Sequence, residues 1–260
     1  MKKLFLLLVC FVLTIDLNAQ SADDYNLEYD LSKTGCIEGD CENGYGVYVN
    51  EKGKVFKGIW KEKALEGVAQ IINYTSGDRY IGETSRGYYH GIGIYLKSNG
   101  YVYFGSWNWN KSQGIGVAFK DGQVNKGYFK DGTFVKDQIQ GAVAGIANID
   151  LSKKGCISGD CVNGYGIFVF DDGAVYFGTW KNKQLEGIGS FYFNSGSVYC
   201  GEFKNGTFYG FGAIMYNPGP SLEAYIGNWI NNKKSGEGLY ISKDGTYKNG
   251  QWNNDEYKSN

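Results

Sequence analysis

Gly44-Tyr45-Gly46-Val47-Tyr48-Val49, then Glu51-Lys52-Gly53, then Val55-Phe56-Lys57-Gly58-Ile59-Trp60: the fold is decided by how these three pieces are read together. Two short runs of aromatic and β-branched residues around a Gly-containing turn read as a β-hairpin. The second run has the form aromatic-x-Gly-x-aromatic, and it returns as Tyr103-Phe104-Gly105-Ser106-Trp107, Tyr176-Phe177-Gly178-Thr179-Trp180 and Tyr225-Ile226-Gly227-Asn228-Trp229. Side chains alternate faces along a strand, so the two aromatics and the glycine share one face. Glycines on neighbouring strands then leave room for large rings, and rings shield the glycine backbone.

Gly-x-Gly or Gly-x-Ala openings fall at Gly44, Gly67, Gly91 and Gly114, and again at Gly164, Gly187, Gly210 and Gly236, a period of about 23 residues. A longer duplication contains them, because Asp30-Leu31-Ser32-Lys33-Thr34-Gly35-Cys36 recurs as Asp150-Leu151-Ser152-Lys153-Lys154-Gly155-Cys156. One hairpin is only marginally stable in water, whereas stacked hairpins supply each other's core. The fourth unit of each copy turns polar, as Asn125-Lys126-Gly127-Tyr128-Phe129 and Lys248-Asn249-Gly250-Gln251-Trp252. Such changes suit a terminal repeat whose outer edge meets water. The sequence therefore divides into blocks at residues 30–135 and 150–257, a connector at 136–149 and a tail at 258–260. In the connector Ile139, Val143 and Ile146 have helical spacing, against which stand Gly141 and Gly145. One continuous sheet of eight hairpins is the alternative to two blocks.

Tyr-x-Gly-x-Trp followed about seven residues on by Gly-x-Gly resembles the MORN repeat. The resemblance covers roughly residues 36–257. It implies an all-β fold, an elongated and twisted single-layer antiparallel sheet of consecutive β-hairpins. It does not imply an enzyme: where members of the family are enzymes the activity lies in a separate domain, for which this chain has no spare length.

Lys2 and Lys3 precede an apolar run from Leu4 to Leu13, followed by Asp16 and Leu17-Asn18-Ala19-Gln20-Ser21. The run is too short to span a bilayer. It reads as a signal peptide, residues 1–19, cut after Ala19, with a polar segment at 20–29 behind it. The expected location is outside the cytoplasm: periplasmic, cell-surface or secreted. Forty glycines, two prolines and 43 aromatics in 260 residues are too periodic for disorder and too rich in glycine for helices. Without Lys2, Lys3 and Asp16 the 26 basic and 27 acidic residues become 24 and 26, a net charge of −2. Such a chain has no broad electrostatic pull on nucleic acid or anionic lipid.

Each block opens with the same cluster, Cys36 to Cys41 and Cys156 to Cys161. Aligned on Gly39 and Gly58, Cys41 falls where Trp60 falls, so each cluster reads as a shortened half-repeat in which a disulfide replaces aromatic packing. Four intervening residues can turn a hairpin that brings the two Cα atoms within bonding range, and export favours oxidation. Free thiols and a Cys₄ metal site are the rivals, and the distance between the two pairs along the sheet weighs against the metal. Cys200, unpaired by repetition, reads as a small core residue.

No catalytic constellation emerges. The one histidine, His90, has Tyr209 as its counterpart in the second block. The acids lie mostly in turns, such as Glu66, Asp121, Asp171, Asp172, Glu186 and Asp244, and no pair stands out for glycoside hydrolysis. The glycines mark strands and turns, not a phosphate loop. No cofactor and no metal are expected. What remains is the ladder of Phe56, Trp60, Tyr80, Tyr103, Trp107, Tyr176, Trp180, Tyr199, Phe203, Tyr225, Trp229 and Trp252. These rings either hold the hairpins together or, if a single layer leaves some uncovered, form a binding groove. The functional ranking that follows is a non-catalytic scaffold for a protein partner, a second copy included; then a glycan or cell-wall ligand module; then membrane lipid.

Overall fold

The computed structural model describes residues 29–136, 149–216 and 222–258. The expected signal peptide, nearly all of the polar segment after it, and the connector residues Ile139, Val143 and Ile146 lie outside these. The chain forms two antiparallel ten-stranded sheets in which every strand pairs with its sequence neighbour. The first sheet holds β1 (Gly35–Gly39), β2 (Tyr45–Val49), β3 (Lys54–Lys61), β4 (Ala64–Asn73), β5 (Arg79–Ser85), β6 (Tyr88–Leu96), β7 (Val102–Asn108), β8 (Lys111–Lys120), β9 (Gln123–Lys130) and β10 (Thr133–Lys136). The second holds β11 (Gly155–Gly159), β12 (Tyr165–Val169), β13 (Val175–Lys181), β14 (Gln184–Tyr192), β15 (Val198–Lys204), β16 (Thr207–Tyr216), β17 (Glu223–Ile230), β18 (Lys233–Ile241), β19 (Tyr247–Asn253) and β20 (Glu256–Lys258). Nine spacings of about 4.8 Å put the edge strands of each sheet roughly 43 Å apart. The two blocks are thus two sheets, and the single continuous sheet is ruled out.

Register explains the repeat. In the second sheet Gly166, Gly178, Gly189, Gly201, Gly212, Gly227, Gly238 and Gly250 pair in one unbroken row across eight strands. The first sheet has the same row, Gly46, Gly58, Gly82, Gly93, Gly105, Gly116 and Gly127, interrupted only by Ala69. Tyrosine rings lie on this row: a Cβ added to Gly93 would come within 2.5 Å of Tyr80 Oη, and one added to Gly116 within 2.5 Å of Tyr103 Oη. The ladder then skips a residue between that glycine and the second aromatic, as between Gly105 and Trp107 or Gly227 and Trp229. A carbonyl in each skip accepts a hydrogen bond from the tyrosine three residues earlier, Tyr80 to Glu83 at 2.6 Å, Tyr103 to Ser106 at 2.9 Å, Tyr199 to Glu202 at 3.0 Å and Tyr225 to Asn228 at 3.1 Å. Opposite the skip stands the first glycine of Gly-x-Gly, such as Gly114 with φ of 101°, a backbone region that L side chains rarely adopt.

The tryptophans complete the unit. Trp60, Trp107, Trp229 and Trp252 each donate an indole N–H to the carbonyl of a row glycine, Gly46, Gly93, Gly212 and Gly238, at 3.0–3.2 Å. Tyr103 and Trp107 meet edge to face with centroids 5.0 Å apart, and Tyr225 and Trp229 do the same at 5.0 Å. Such pairs add about 0.5–1.5 kcal/mol each beyond the area they bury.

The opposite face of each sheet is apolar too, and there the sheets meet. Phe104, Ile92, Ile94, Ile115 and Val117 of the first form one buried cluster with Val175, Val198, Ala213, Met215 and Leu239 of the second. Equivalent strands face one another, since β4 lies against β14 and β5 against β15, with β4 also touching β13 and β6 touching β15. Cys200 Sγ sits 3.6 Å from the carbonyl of Ile81, its own counterpart in the first block. Further along, Phe119 packs on Tyr247 with centroids 5.0 Å apart, and the Lys126 ammonium donates to the carbonyls of Leu222 and Ser242 at 3.2 Å. Each block is a single layer of hairpins, and the pair makes two layers over a shared core.

Candidate functional site

The twelve ladder residues form the floor of the two outer faces. Tyr80, Tyr103, Tyr176, Tyr199 and Tyr225 are at most 1% exposed, and Trp60, Trp107, Trp180, Trp229, Trp252 and Phe203 are buried as well. A ring lying flat on a glycine row is covered from below by backbone and from the sides by its neighbours, so no second layer is needed on that face. Burial also pushes the Tyr80, Tyr103 and Tyr199 hydroxyls well above their ordinary titration range, consistent with their role as neutral donors. Phe56 alone stays half-buried. The row position on β4, opposite Gly58, is Ala69, not glycine, and a Cβ at Gly58 would already press on the Ala69 methyl at 2.9 Å.

The rings that do reach solvent are a second set. On the second sheet Phe168, Phe170, Phe191 and Phe193 form a continuous half-buried strip, with successive centroids at 4.8, 5.4 and 4.6 Å. Phe168 and Phe191 lie on β12 and β14, which carry Gly-x-Gly, in step with the glycine row, and Phe170 and Phe193 follow directly after those strands. Their counterparts in the first block are Tyr48, Asn50, Ile71 and Asn73. Asn50 Oδ1 accepts the amides of Lys52 and Lys54 at 3.0 and 2.9 Å, and Asn73 Oδ1 accepts those of Thr75 and Ser76 at 3.1 and 3.3 Å. Phe170 and Phe193 begin the matching turns, their carbonyls accepting Gly173 N–H and Gly196 N–H, and there the cap comes from another residue: Asp172 Oδ1 accepts the Ala174 amide at 2.9 Å and Ser195 Oγ the Ser197 amide at 3.4 Å. Further along this face the Lys234 ammonium lies 5.2–5.8 Å from the rings of Tyr216, Tyr225, Tyr240 and Trp252. Burial lowers its pKa.

A smaller aromatic group sits at the hairpin tips of the first sheet. Trp109, 49% exposed, has a φ of 49° in a two-residue turn. Tyr88 stands edge-on to it at 5.0 Å and His90 at 6.3 Å. His90 is exposed and touches no carboxylate pair, in keeping with a position that also accepts tyrosine. The turn acids are structural: Glu66 accepts the Arg86 amide at 2.7 Å, and Glu186 the Asn205 amide at 2.9 Å. Among the described residues no group of three or more His, Cys, Asp or Glu could hold a metal.

Cys36 and Cys41 are bonded, as are Cys156 and Cys161, with Cα atoms 5.8 and 5.9 Å apart. Cys41 Sγ lies where a Cβ on Gly46 would come within 2.8 Å. In the interior units that place belongs to a tyrosine ring, so the bridge stands in for the tyrosine at the end of the row. Cys200 is free and fully buried, a core residue between the sheets.

Two open sheets built from stacked hairpins, tied by a shared glycine row with tyrosine rings upon it and, in five strands, a tryptophan, define a β-hairpin repeat protein. Residues 80–100, 103–124, 163–175, 176–198, 199–219 and 225–247 match the MORN repeat. The chain is a MORN-repeat protein, and this repeat is a non-catalytic module. No curated protein matches the chain. Among solved structures, the SAS-4 (dCPAP) TCP domain in complex with a proline-rich motif of Ana2 (dSTIL) of Drosophila melanogaster is 8% identical over 84% of this chain and 89% of that one. Its TM-score of 0.22 is too low to carry an argument.

Proposed function

We propose that the chain is a non-catalytic scaffold that binds a protein partner, a second copy of itself included, outside the cytoplasm, and that the Phe168–Phe170–Phe191–Phe193 strip is where the partner docks. One observation carries this reading: at two equivalent turns the first block has asparagines that cap the backbone, while the second has half-buried phenylalanines that do not. The duplicated block is an internal control: the same unit folds with asparagine at these two places, so the fold does not require a ring there. Rings without hydroxyls suit an apolar protein segment better than a sugar, which needs polar groups beside the stacking face. The two disulfides support an oxidising compartment.

The test uses the residues that the first block already places at these turns. Phe170→Asn with Phe193→Asn is expected to supply the caps that the first block uses, leave unfolding in urea within about 1 kcal/mol of the parent, and weaken partner binding at least tenfold. Cross-linking in the native envelope with mass spectrometry identifies the partner. A partner retained at full strength by the double variant would remove the strip from the function.

A glycan ligand has its own supporting observation in Trp109. The other two-residue turns with positive φ place Glu62, Arg86, Asp121, Asp131, Asn182, Asn205, Asn231 or Asn254 at the same position, all polar. An exposed indole with Tyr88 beside it offers a platform for one sugar ring. Trp109→Asn, which matches its counterpart Asn231, is expected to abolish retention on immobilised envelope glycans without affecting stability; no retention by the parent would dismiss this reading.

A further inference from the structure

The inner surfaces of the two sheets are apolar but for a few groups, and one of these is a carboxylate. Glu83 of β5 is 9% exposed, yet it belongs to the skip in the ladder where its counterparts are Ile59, Ser106, Thr179, Asn228 and the half-buried Glu202, which accepts the Phe211 amide at 3.2 Å. Its Oε1 accepts a hydrogen bond from the Tyr192 hydroxyl of β14 at 2.5 Å, across the junction between the sheets. Gly91 leaves the space that the carboxyl fills, since a Cβ there would come within 2.7 Å of Glu83 Cδ.

We propose that Glu83 is a pH-sensitive latch between the two sheets, closed onto Tyr192 when the carboxyl is protonated and opened when it ionises, and that this latch sets how tightly the blocks are held together. The inference is independent of the docking strip, which lies on the outer face.

The groups facing Glu83 come from every element packed on it. Tyr80 is on its own strand, Ile92 N–H on β6, Tyr165 on β12, Tyr192 and Ser190 on β14, and Cys200 on β15. None is a cation. Arg79, the nearest basic group on the strand, is acted on by Glu202 of β15 instead. The tyrosines and Cys200 are all pushed upward by burial, Cys200 to about 12, so across the neutral range only the carboxylate changes charge. Burial raises Glu83 from 4.5 to about 7, against the lowering effect of Tyr192, Ile92 N–H and Ser190. A carboxyl raised by folding stabilises the folded state fully below its unfolded value. That advantage is lost as pH rises from about 4.5 to about 7 and is then constant. One proton changes the unfolding equilibrium about tenfold per pH unit in this window.

Cys200 is a native reporter, because it lies between the sheets with its sulfur against Ile81. Alkylation of the Cys200 peptide is measured by mass spectrometry on the full chain from pH 5 to 8.5, for the parent and for Glu83→Gln, which keeps the shape and cannot ionise. The ratio of the two rates cancels the intrinsic pH dependence of the thiol. The expected ratio is only a few-fold above one at pH 5 and rises at least tenfold further by pH 8, with half of its plateau value, the midpoint, near 7. Tyr192→Phe keeps the fold at acid pH and moves the midpoint upward, because the hydroxyl that favours the ionised carboxylate is gone. If Glu83→Gln does not fold, the midpoint read from the parent and Tyr192→Phe alone decides. A ratio flat with pH, or a midpoint unmoved in Tyr192→Phe, overturns the latch.

Discussion

A tyrosine in this repeat does three things at once. Its ring covers a glycine row, its edge meets a tryptophan, and its hydroxyl pairs a carbonyl in the break of the ladder. Tyr103→Phe keeps the first two and orphans the Ser106 carbonyl, so a loss of about 1–3 kcal/mol is expected in urea unfolding. Gly116→Ala puts a methyl into the ring's place and should cost more, about 3 kcal/mol, because the buried ring is held against Trp107 and Phe129 and has little room to move. The first block already contains the reverse pair, Phe56 with Ala69. Phe56→Tyr alone should bring no gain, whereas with Ala69→Gly it should bury the ring; a favourable coupling of about 1 kcal/mol or more in the double-mutant cycle is the expected reading. That both aromatics and the glycine share a face was legible in the sequence from strand alternation. The hydroxyl's role was not, because it depends on a skip in register that leaves no mark on the residue order.

At the scale of one element, the hairpins and the cysteine caps were legible and the exposed rings were not. The Gly-x-Gly openings located every interior unit, and the even Cys spacing gave both disulfides. Each bridge closes a six-residue loop at the first edge of its sheet, so Cys36→Ser with Cys41→Ser should cost about 2 kcal/mol. Hydrogen exchange should locate that loss in β1 and β2, leaving β6 to β8 protected; uniform loss across the sheet would contradict a capping role. The Phe170 and Phe193 strip escaped notice because attention to aromatic-x-Gly-x-aromatic weights the second strand of each hairpin. Comparing the two blocks position by position, Asn50 with Phe170 and Asn73 with Phe193, carries the missing signal.

At the scale of the molecule, the residues between the ladder positions become decisive. Val102 and Phe104 flank Tyr103 on the opposite face, and Val175 and Phe177 flank Tyr176 likewise, so these strands are apolar on both sides. A sheet apolar on both faces needs a second layer, and duplication supplies it with an equivalent surface. The alternation carries this second apolar face, which a repeat built as one layer does not imply. Glu83 is the buried carboxylate in that inner surface, and neither its partner Tyr192 nor its burial can be inferred without knowing which strands stack. Hydrogen exchange by mass spectrometry on Trp107→Ala tests most directly whether two sheets share one core. Removing a buried tryptophan from the first sheet costs about 3–5 kcal/mol. If the core is shared, the slowest-exchanging amides of β13 to β17 in the second sheet lose protection by the same free energy as those of β5 to β8. A second sheet that keeps its full protection while the first loosens would contradict the shared core.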